Sequence, residues 1–375
     1  MKTAQVSVRT LDPAALAPLA ELEPQLVLAF GAPAIFADPG FHPWLRAAFG
    51  DAQLAGCSTA GEISGDGVAD GSVVVTAIRF ARPDFKVAST DLASMSDSEA
   101  AGARLGAALA SAELRDVWML SQGVQVNGSA LIAGVRAAAG PDVVISGGLA
   151  GDGGAFQKTY TLGSDGVSDK RVIAIGFGKG AQLSHGTFGG WQPFGPARLA
   201  TRTSGNILHE LDGEPALEVY KRYLGEYASG LPASGLLFPF ALLGEDHGAI
   251  GLIRTILGVD PATGSLTFAG DIPQGSYLRL MHASTDALVD GAQAAARAAA
   301  QAGASEGGLT LLVSCVGRKL VMGGRIEEEI EAVSEVIPGT VAGFYSYGEI
   351  SPFLSATDCR LHNQTMTITH LSEAA

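Results

Sequence analysis

The chain has 375 residues, 47% of them apolar, and a formal net charge of −14 from 24 Lys and Arg against 38 Asp and Glu. That length and apolar content support a large buried core in two domains or one duplicated unit, and the negative field repels nucleic acid and anionic membrane surfaces. Three cysteines, Cys57, Cys315 and Cys359, with no CxxC spacing, exclude a disulfide framework and a structural zinc site.

The N-terminal MKTAQVSVRTLDPAAL has no unbroken apolar run after its basic residue, so it does not read as a secretory signal and a cytoplasmic location is expected. QLVLAFG (25–31) predicts a strand, Trp44–Phe49 a short helix and AQLAG (52–56) a second strand. The loop AGCSTAGEIS (55–64) follows, then DGVAD (66–70) and the strand SVVVTAIRF (72–80). After ASTD (88–91) the same order returns. An Ala-rich helix is predicted over Glu99–Ser111, a strand at DVWMLSQG (116–123) and a helix over Ser129–Ala139 that Pro141 stops. The strand DVVIS leads into the degenerate loop SGGLAGDGG (146–154), with Asp152 in the acid position, and DGVSD (165–169) precedes the strand RVIAIGFG.

Ser204–Tyr223 reads as a connecting helix, and 235–281 as consecutive strands with turns at GEDHG, DPATG and DIPQG. Prolines and glycines break the longest uncharged apolar stretch, Ala228–Gly244, which argues against a membrane helix. A second ASTD (283–286) precedes a helix at Ala287–Ala302, the strand LTLLVSCVG (309–317), a helix at Ile326–Val336 and the strand TVAGFY. The loop AGFYSYGEIS (342–351) then repeats AGCSTAGEIS with both glycines and the Gly-Glu-Ile-Ser ending in register. LHNQTMTIT (361–369) reads as a closing strand. The repeating unit is strand, helix, strand, acidic Gly loop, strand. It implies an α/β fold of mixed sheets with flanking helices, internally duplicated, in an N-terminal half to about Glu214 and a C-terminal half beyond.

Loops at the carboxyl ends of strands are common ligand sites, and glycine lets the backbone present its N–H groups closely. Ser58 and Thr59 add hydroxyls, Glu62, Asp152 and Glu349 could hold an ammonium, and Arg318 at a strand end is a candidate carboxylate clamp. With Gly61, Gly151, Cys57, Cys315, Tyr345 and Tyr347 they form the candidate ligand set, suited to a small zwitterion. Phosphate is a poor match, since the loops carry acids and neither GxxxxGK[ST] nor GxGxxG is present. A structural role, with glycines satisfying turns and acids capping or pairing, fits the same residues. Cys57 as a nucleophile is the enzyme alternative, but its loop is one residue longer than a GxSxG elbow. No histidine spacing demands a metal or a triad.

GCSTAGEIS, GGLAGDGG, NILHELDGEPALEVY, the SCVGR strand, GFYSYGEIS and LHNQTMTIT together resemble the FIST sensory family in its paired domains, here 25–214 and 215–369. The resemblance implies a signal-transduction input module that binds small ligands such as amino acids, without catalysis or cofactor. It also implies output through a separate histidine kinase, chemoreceptor or cyclic-dinucleotide enzyme. A related branch of haem-dependent nitric-oxide sensors makes His185, in LSHGTFGG, the candidate axial ligand of the alternative reading.

Overall fold

The computed structural model describes residues 1–244, 246–304 and 307–374; residue 245 of the expected GEDHG turn lies outside them. The first unit contains β1 (Lys2–Val8), α1 (Pro13–Ala20), β2 (Leu26–Gly31), α2 (Pro33–Phe36), α3 (Phe41–Phe49) and β3 (Gln53–Ser58). It ends with β4 (Glu62–Ser64), β5 (Gly67–Ala69) and β6 (Val73–Arg79). The second contains β7 (Phe85–Asp91), α4 (Ser98–Leu109), β8 (Asp116–Ser121), α5 (Gly128–Ala139) and β9 (Val144–Leu149), then β10 (Thr161–Gly163), β11 (Gly166–Ser168) and β12 (Arg171–Phe177).

The third unit opens with β13 (Ala181–Phe188) and is interrupted by an insertion. That insertion holds β14 (Gln192–Ser204), β15 (Ile207–Leu211), β16 (Glu214–Pro215), α6 (Ala216–Leu224), β17 (Phe240–Leu243) and β18 (Ala249–Arg254). It closes with β19 (Ile256–Asp260), β20 (Ser265–Phe268) and β21 (Tyr277–His282). The unit resumes with α7 (Thr285–Gln301), β22 (Leu309–Cys315), α8 (Val316–Met322), α9 (Glu327–Val336) and β23 (Thr340–Ser346), and finishes with β24 (Gly348–Pro352), β25 (Cys359–His362) and β26 (Met366–Glu373).

Each unit builds four strands of one sheet, in the orders β1-β6-β2-β3, β7-β12-β8-β9 and β13-β26-β22-β23, with a single parallel pair in each. The short hairpin of each unit leaves for a neighbour. β4–β5 completes the third sheet on β23, β10–β11 the first on β3, and β24–β25 the second on β9. The exchange is cyclic and closes after three steps.

Strand alternation sends every second residue to opposite faces. Leu26, Leu28 and Phe30 of β2, Trp118 and Leu120 of β8, and Leu309, Leu311 and Val313 of β22 share one core cluster between the three sheets. The alternate residues, such as Val27, Ala29, Val117, Met119 and Leu312, pack outward against the helices. The inserted strands form a fourth sheet, β18-β17-β21-β14-β15-β20-β19, with a core of its own and β16 paired to β15.

The duplication in the sequence is therefore a triplication with one insertion. Of the helix expected over Ser204–Tyr223, only the part in Ala216–Leu224 is helical, and the residues before it form the end of β14, β15, β16 and the turns between them. Asp212 and Gly213 both take positive φ, 51° and 83°, as a two-residue hairpin between β15 and β16 requires. The position near Glu214 expected to divide the halves thus lies within this hairpin. LHNQTMTIT is β25, a turn and the start of β26 rather than one strand. The two ASTD segments are not equivalent: one lies in β7, while Ser284 of the other caps α7 by accepting from Ala287 N at 3.3 Å.

At Gly151 the backbones of two units meet closely, and a Cβ there would lie 2.6 Å from Ala60 N. Gly151→Ala should cost about 1–3 kcal/mol, the usual penalty of overpacking. Urea unfolding would show this as a lower midpoint at unchanged slope, and an unchanged midpoint would remove the crossing from the fold's energetics.

Candidate functional site

The repeated acidic Gly loops are the points where the chain passes from its own sheet to its neighbour's. Gly56, Gly147 and Gly343 occupy the same ladder position in β3, β9 and β23. A Cβ there would lie 2.0, 1.9 and 2.0 Å from the carbonyl oxygens of Ala29, Met119 and Leu312 on the parallel neighbour. Close backbone approach, rather than a ligand, demands these glycines.

The three crossings bind one another through their backbones. Ala60 N donates to Tyr345 O at 2.8 Å and Tyr345 N to Gly61 O at 2.9 Å. Gly151 N donates to Ser58 O at 2.9 Å, Gly153 N to Thr59 O at 3.0 Å and Tyr347 N to Leu149 O at 3.2 Å. Ser58 Oγ donates to Gly151 O at 2.7 Å and accepts from Tyr160 N at 2.9 Å. The sequence-derived loops do converge, but Cys57, Ser58, Thr59, Glu62, Tyr345 and Glu349 are all at most 1% exposed.

The two glutamates are matching latches. Glu62 Oε1 accepts from Thr59 Oγ1 at 2.5 Å, and its Oε2 accepts from Ser72 N and Oγ at 3.0 and 2.9 Å. Glu349 Oε1 accepts from Ser346 Oγ at 2.5 Å, and its Oε2 from Thr365 N and Oγ1 at 3.2 and 3.0 Å. Asp152 is not their counterpart. Thr161, opposite Cys57 as Glu62 is opposite Phe344 and Glu349 opposite Gly148, holds that place. Asp152 instead gathers the 150–160 loop, accepting from the N–H groups of Phe156, Gln157 and Lys158 and bonding to Tyr347 Oη. Tyr347 also stacks on Phe156 at 4.1 Å between ring centroids. Tyr345 and Tyr347 therefore serve different contacts rather than facing one crevice.

Arg318 is the clearest correction. It is fully buried at the start of α8, and its Nε and Nη2 donate to Glu329 Oε2 at 3.1 and 2.8 Å. Nη2 also donates to Leu288 O at 2.8 Å and Nη1 to Gly189 O. Glu329 Oε1 accepts from Ser314 Oγ at 3.0 Å and Tyr345 Oη at 2.6 Å. No guanidinium edge is left for a ligand carboxylate. Glu329, in a helix of otherwise solvated acids, carried no sequence signal marking it as the buried partner.

Cys57 and Cys315 are buried, and desolvation pushes both thiols well above their ordinary value. Such thiols are poor nucleophiles.

A cleft of about 960 Å³ opens elsewhere, where three sheet edges meet: β13 of the third sheet, β24–β25 of the second and β18 of the inserted one. Its apolar walls include Trp191, Ile253, Met281 and Phe353, and Arg115, Asp116, Asp142 and His185 gather toward one end. Thr187 Oγ1 donates to Ser351 Oγ at 2.5 Å, tying β13 to β24 behind the wall. None of the twelve sequence-derived site residues lines this cleft. It sits at the amino end of β8 and β9, whereas the carboxyl ends are filled by the crossings. His185 lines it, with Nε2 3.3 Å from Asp116 Oδ1 and Nδ1 3.3 Å from Thr369 Oγ1. Both ring nitrogens thus face protein oxygens.

Comparison with known proteins completes the site. The FIST N domain model matches residues 25–214 and the FIST C domain model residues 216–352. The chain belongs to the FIST family. FIST domains are sensory, signal-transduction modules that bind small ligands. No curated protein matches the chain. Among solved structures, a cyanuric acid hydrolase from A. caulinodans aligns over 100% of this chain and 99% of its own, at 11% identity and a TM-score of 0.36. Among the described residues, no helix of this FIST protein is long and apolar enough to cross a membrane, and no group of three or more His, Cys, Asp and Glu could hold a metal ion.

Two predictions follow from the buried acids. Glu329→Gln leaves Arg318 buried without its counter-charge and should cost about 3–5 kcal/mol in chemical denaturation; a loss below about 1 kcal/mol would show the pair to be dispensable. Burial raises the Glu349 carboxyl from 4.5 to about 8, so between those values the folded chain holds a proton that the unfolded chain has released. Stability therefore falls as pH rises, by up to roughly 1.4 kcal/mol per pH unit. Burial lowers His362 from 6.5 to about 4, which makes stability rise with pH in that lower window and offsets the Glu349 slope there. Between pH 6.5 and 8 the Glu349 decline should stand out, and Glu349→Gln should flatten it; equal slopes in both proteins would refute the assignment.

Proposed function

We propose that this FIST chain is a non-catalytic receptor whose ligand, an amino acid or similar small metabolite, binds in the cleft between β13, β18 and β24–β25. The observation that carries this reading is the cleft itself: a concave, largely apolar space with a few charged groups gathered at one end. Asp116 and Asp142 suit an ammonium and Arg115 a carboxylate, so the zwitterion chemistry moves to new residues. The deeply buried thiols support binding without turnover. Output would pass to a separate histidine kinase, chemoreceptor or cyclic-dinucleotide enzyme in the cytoplasm, with no cofactor required.

Thermal unfolding of the purified chain with each of the twenty amino acids tests this. A ligand at one hundred times its Kd should add about 2.7 kcal/mol of stability. Met281→Trp, which fills the cleft, should abolish the shift, while Glu62→Gln at the crossing should retain it. No shift with any amino acid, or a shift that survives Met281→Trp, would overturn the proposal.

A further inference from the structure

The polar turn between β25 and β26 touches both the third crossing, through Thr365 on Glu349, and the cleft, but Asn363 and Gln364 serve neither. His362, Asn363, Gln364 and Thr365 are each at most 5% exposed. The matching turns of the other units reach solvent at Asp70 and Lys170. Here the insertion covers the turn: Gln364 Nε2 donates to Leu236 O at 3.0 Å, Trp191 Nε1 to Gln364 O at 2.7 Å, and Arg254 Nη1 to Leu361 O at 3.4 Å. Gln364 holds a φ of +64°, uncommon for a side chain of its kind.

Burial has left this seam with unpaired polar atoms. Asn363 Oδ1 and Nδ2 and Gln364 Oε1 have no hydrogen-bond partner. Native interiors rarely leave such groups unpaired, and a cluster of them marks a place for water or a ligand. His362 and Thr365, on either side of Asn363 and Gln364, line the cleft.

The free atoms define a chemistry. Asn363 offers a donor and an acceptor side by side, whichever way its amide is turned, and the bond to Leu236 fixes Gln364 with its oxygen free. Two free carbonyl oxygens repel a carboxylate. Arg254 is buried, bonded to the carbonyls of Ile253, Leu361 and Asp271, with no carboxylate within 4.0 Å among the described residues, and its charge disfavours a cation. A neutral group rich in N–H donors suits both conditions.

We propose that this turn is the selective end of the cleft and that the ligand carries a carboxamide or ureido group paired with Asn363. The proposal rests on the cleft reading and deepens it: a zwitterion at Arg115 and Asp116 with a neutral amide at Asn363 describes asparagine, glutamine or a close analogue. Asn363 is 1% exposed and adjoins the lining residue His362 without itself lining the cleft, so the proposal requires its side chain to rotate toward the ligand.

Calorimetry on the full chain with L-asparagine and L-glutamine against L-aspartate and L-glutamate decides the matter. At least one amide should bind ten-fold or more tighter than its acid. Asn363→Leu should remove that binding yet leave the urea midpoint of the ligand-free protein unchanged or higher, because it deletes an unpaired polar group. Undiminished binding in Asn363→Leu, as expected if the turn holds water only, or a lowered midpoint, would overturn the proposal. If that variant does not fold, Asn363→Ala decides: several-fold weaker amide binding supports the assignment and unchanged affinity overturns it. Wild-type protein that binds other amino acids but neither amide overturns this inference alone; binding of none overturns the cleft reading as well.

Discussion

Three chain crossings, each hydrogen-bonded to the other two, are the constraint on which the rest of the molecule depends. A strand that leaves its own sheet must pass the carbonyl of its parallel neighbour, which leaves no room for a side chain at Gly56, Gly147 or Gly343. Once across, the backbone lies among three sheets and away from water, so its polar neighbours need internal partners. Thr59 with Glu62, Ser346 with Glu349, and the loop gathered by Asp152 supply them. The acids that mark the repeat are thus consequences of burying a crossing.

Much of this was legible in the sequence. The repeated loops identified the crossings, and the alternation of helix and strand patterns gave the units and most helices to within a few residues. What failed has local causes. Asp212–Gly213 was a hairpin signature inside a stretch that also read as helical, and the helix reading prevailed. Asp152 follows a glycine as the acids of the other loops do, but it lies one residue closer to Gly147 than Glu62 and Glu349 lie to Gly56 and Gly343, and Thr161 takes the ladder position. Arg318 at a strand end looked available because its partner Glu329 lies eleven residues on, among surface acids. A cleft formed by strand edges from distant parts of the chain has no local signature, and for that reason the site was sought at the opposite end of the strands.

The insertion changes what the third unit can do. Without it, the turn after β25 would meet solvent as its two counterparts do, and β13 would be an open edge. With it, one side of the pseudo-symmetric body gains a walled cleft and a buried polar turn, while the matching turns of the other units reach solvent at Asp70 and Lys170. The cleft and the buried polar turn both lie where the symmetry is broken, and the repeated motifs maintain the frame.

The cyclic hairpin exchange also describes an assembly. A single unit of this kind, cut free of its neighbours, would present one sheet lacking its last two strands and one hairpin lacking its sheet. Those two surfaces complement each other head to tail, and the rotation between them closes after three copies. The chain is therefore a covalently joined ring trimer: with the insertion set aside, the linkers after β6 and β12 distinguish its architecture from an oligomer. Joining the copies removed the need for them to be identical, and only then could one of them accept an eight-stranded insertion without the other two carrying it.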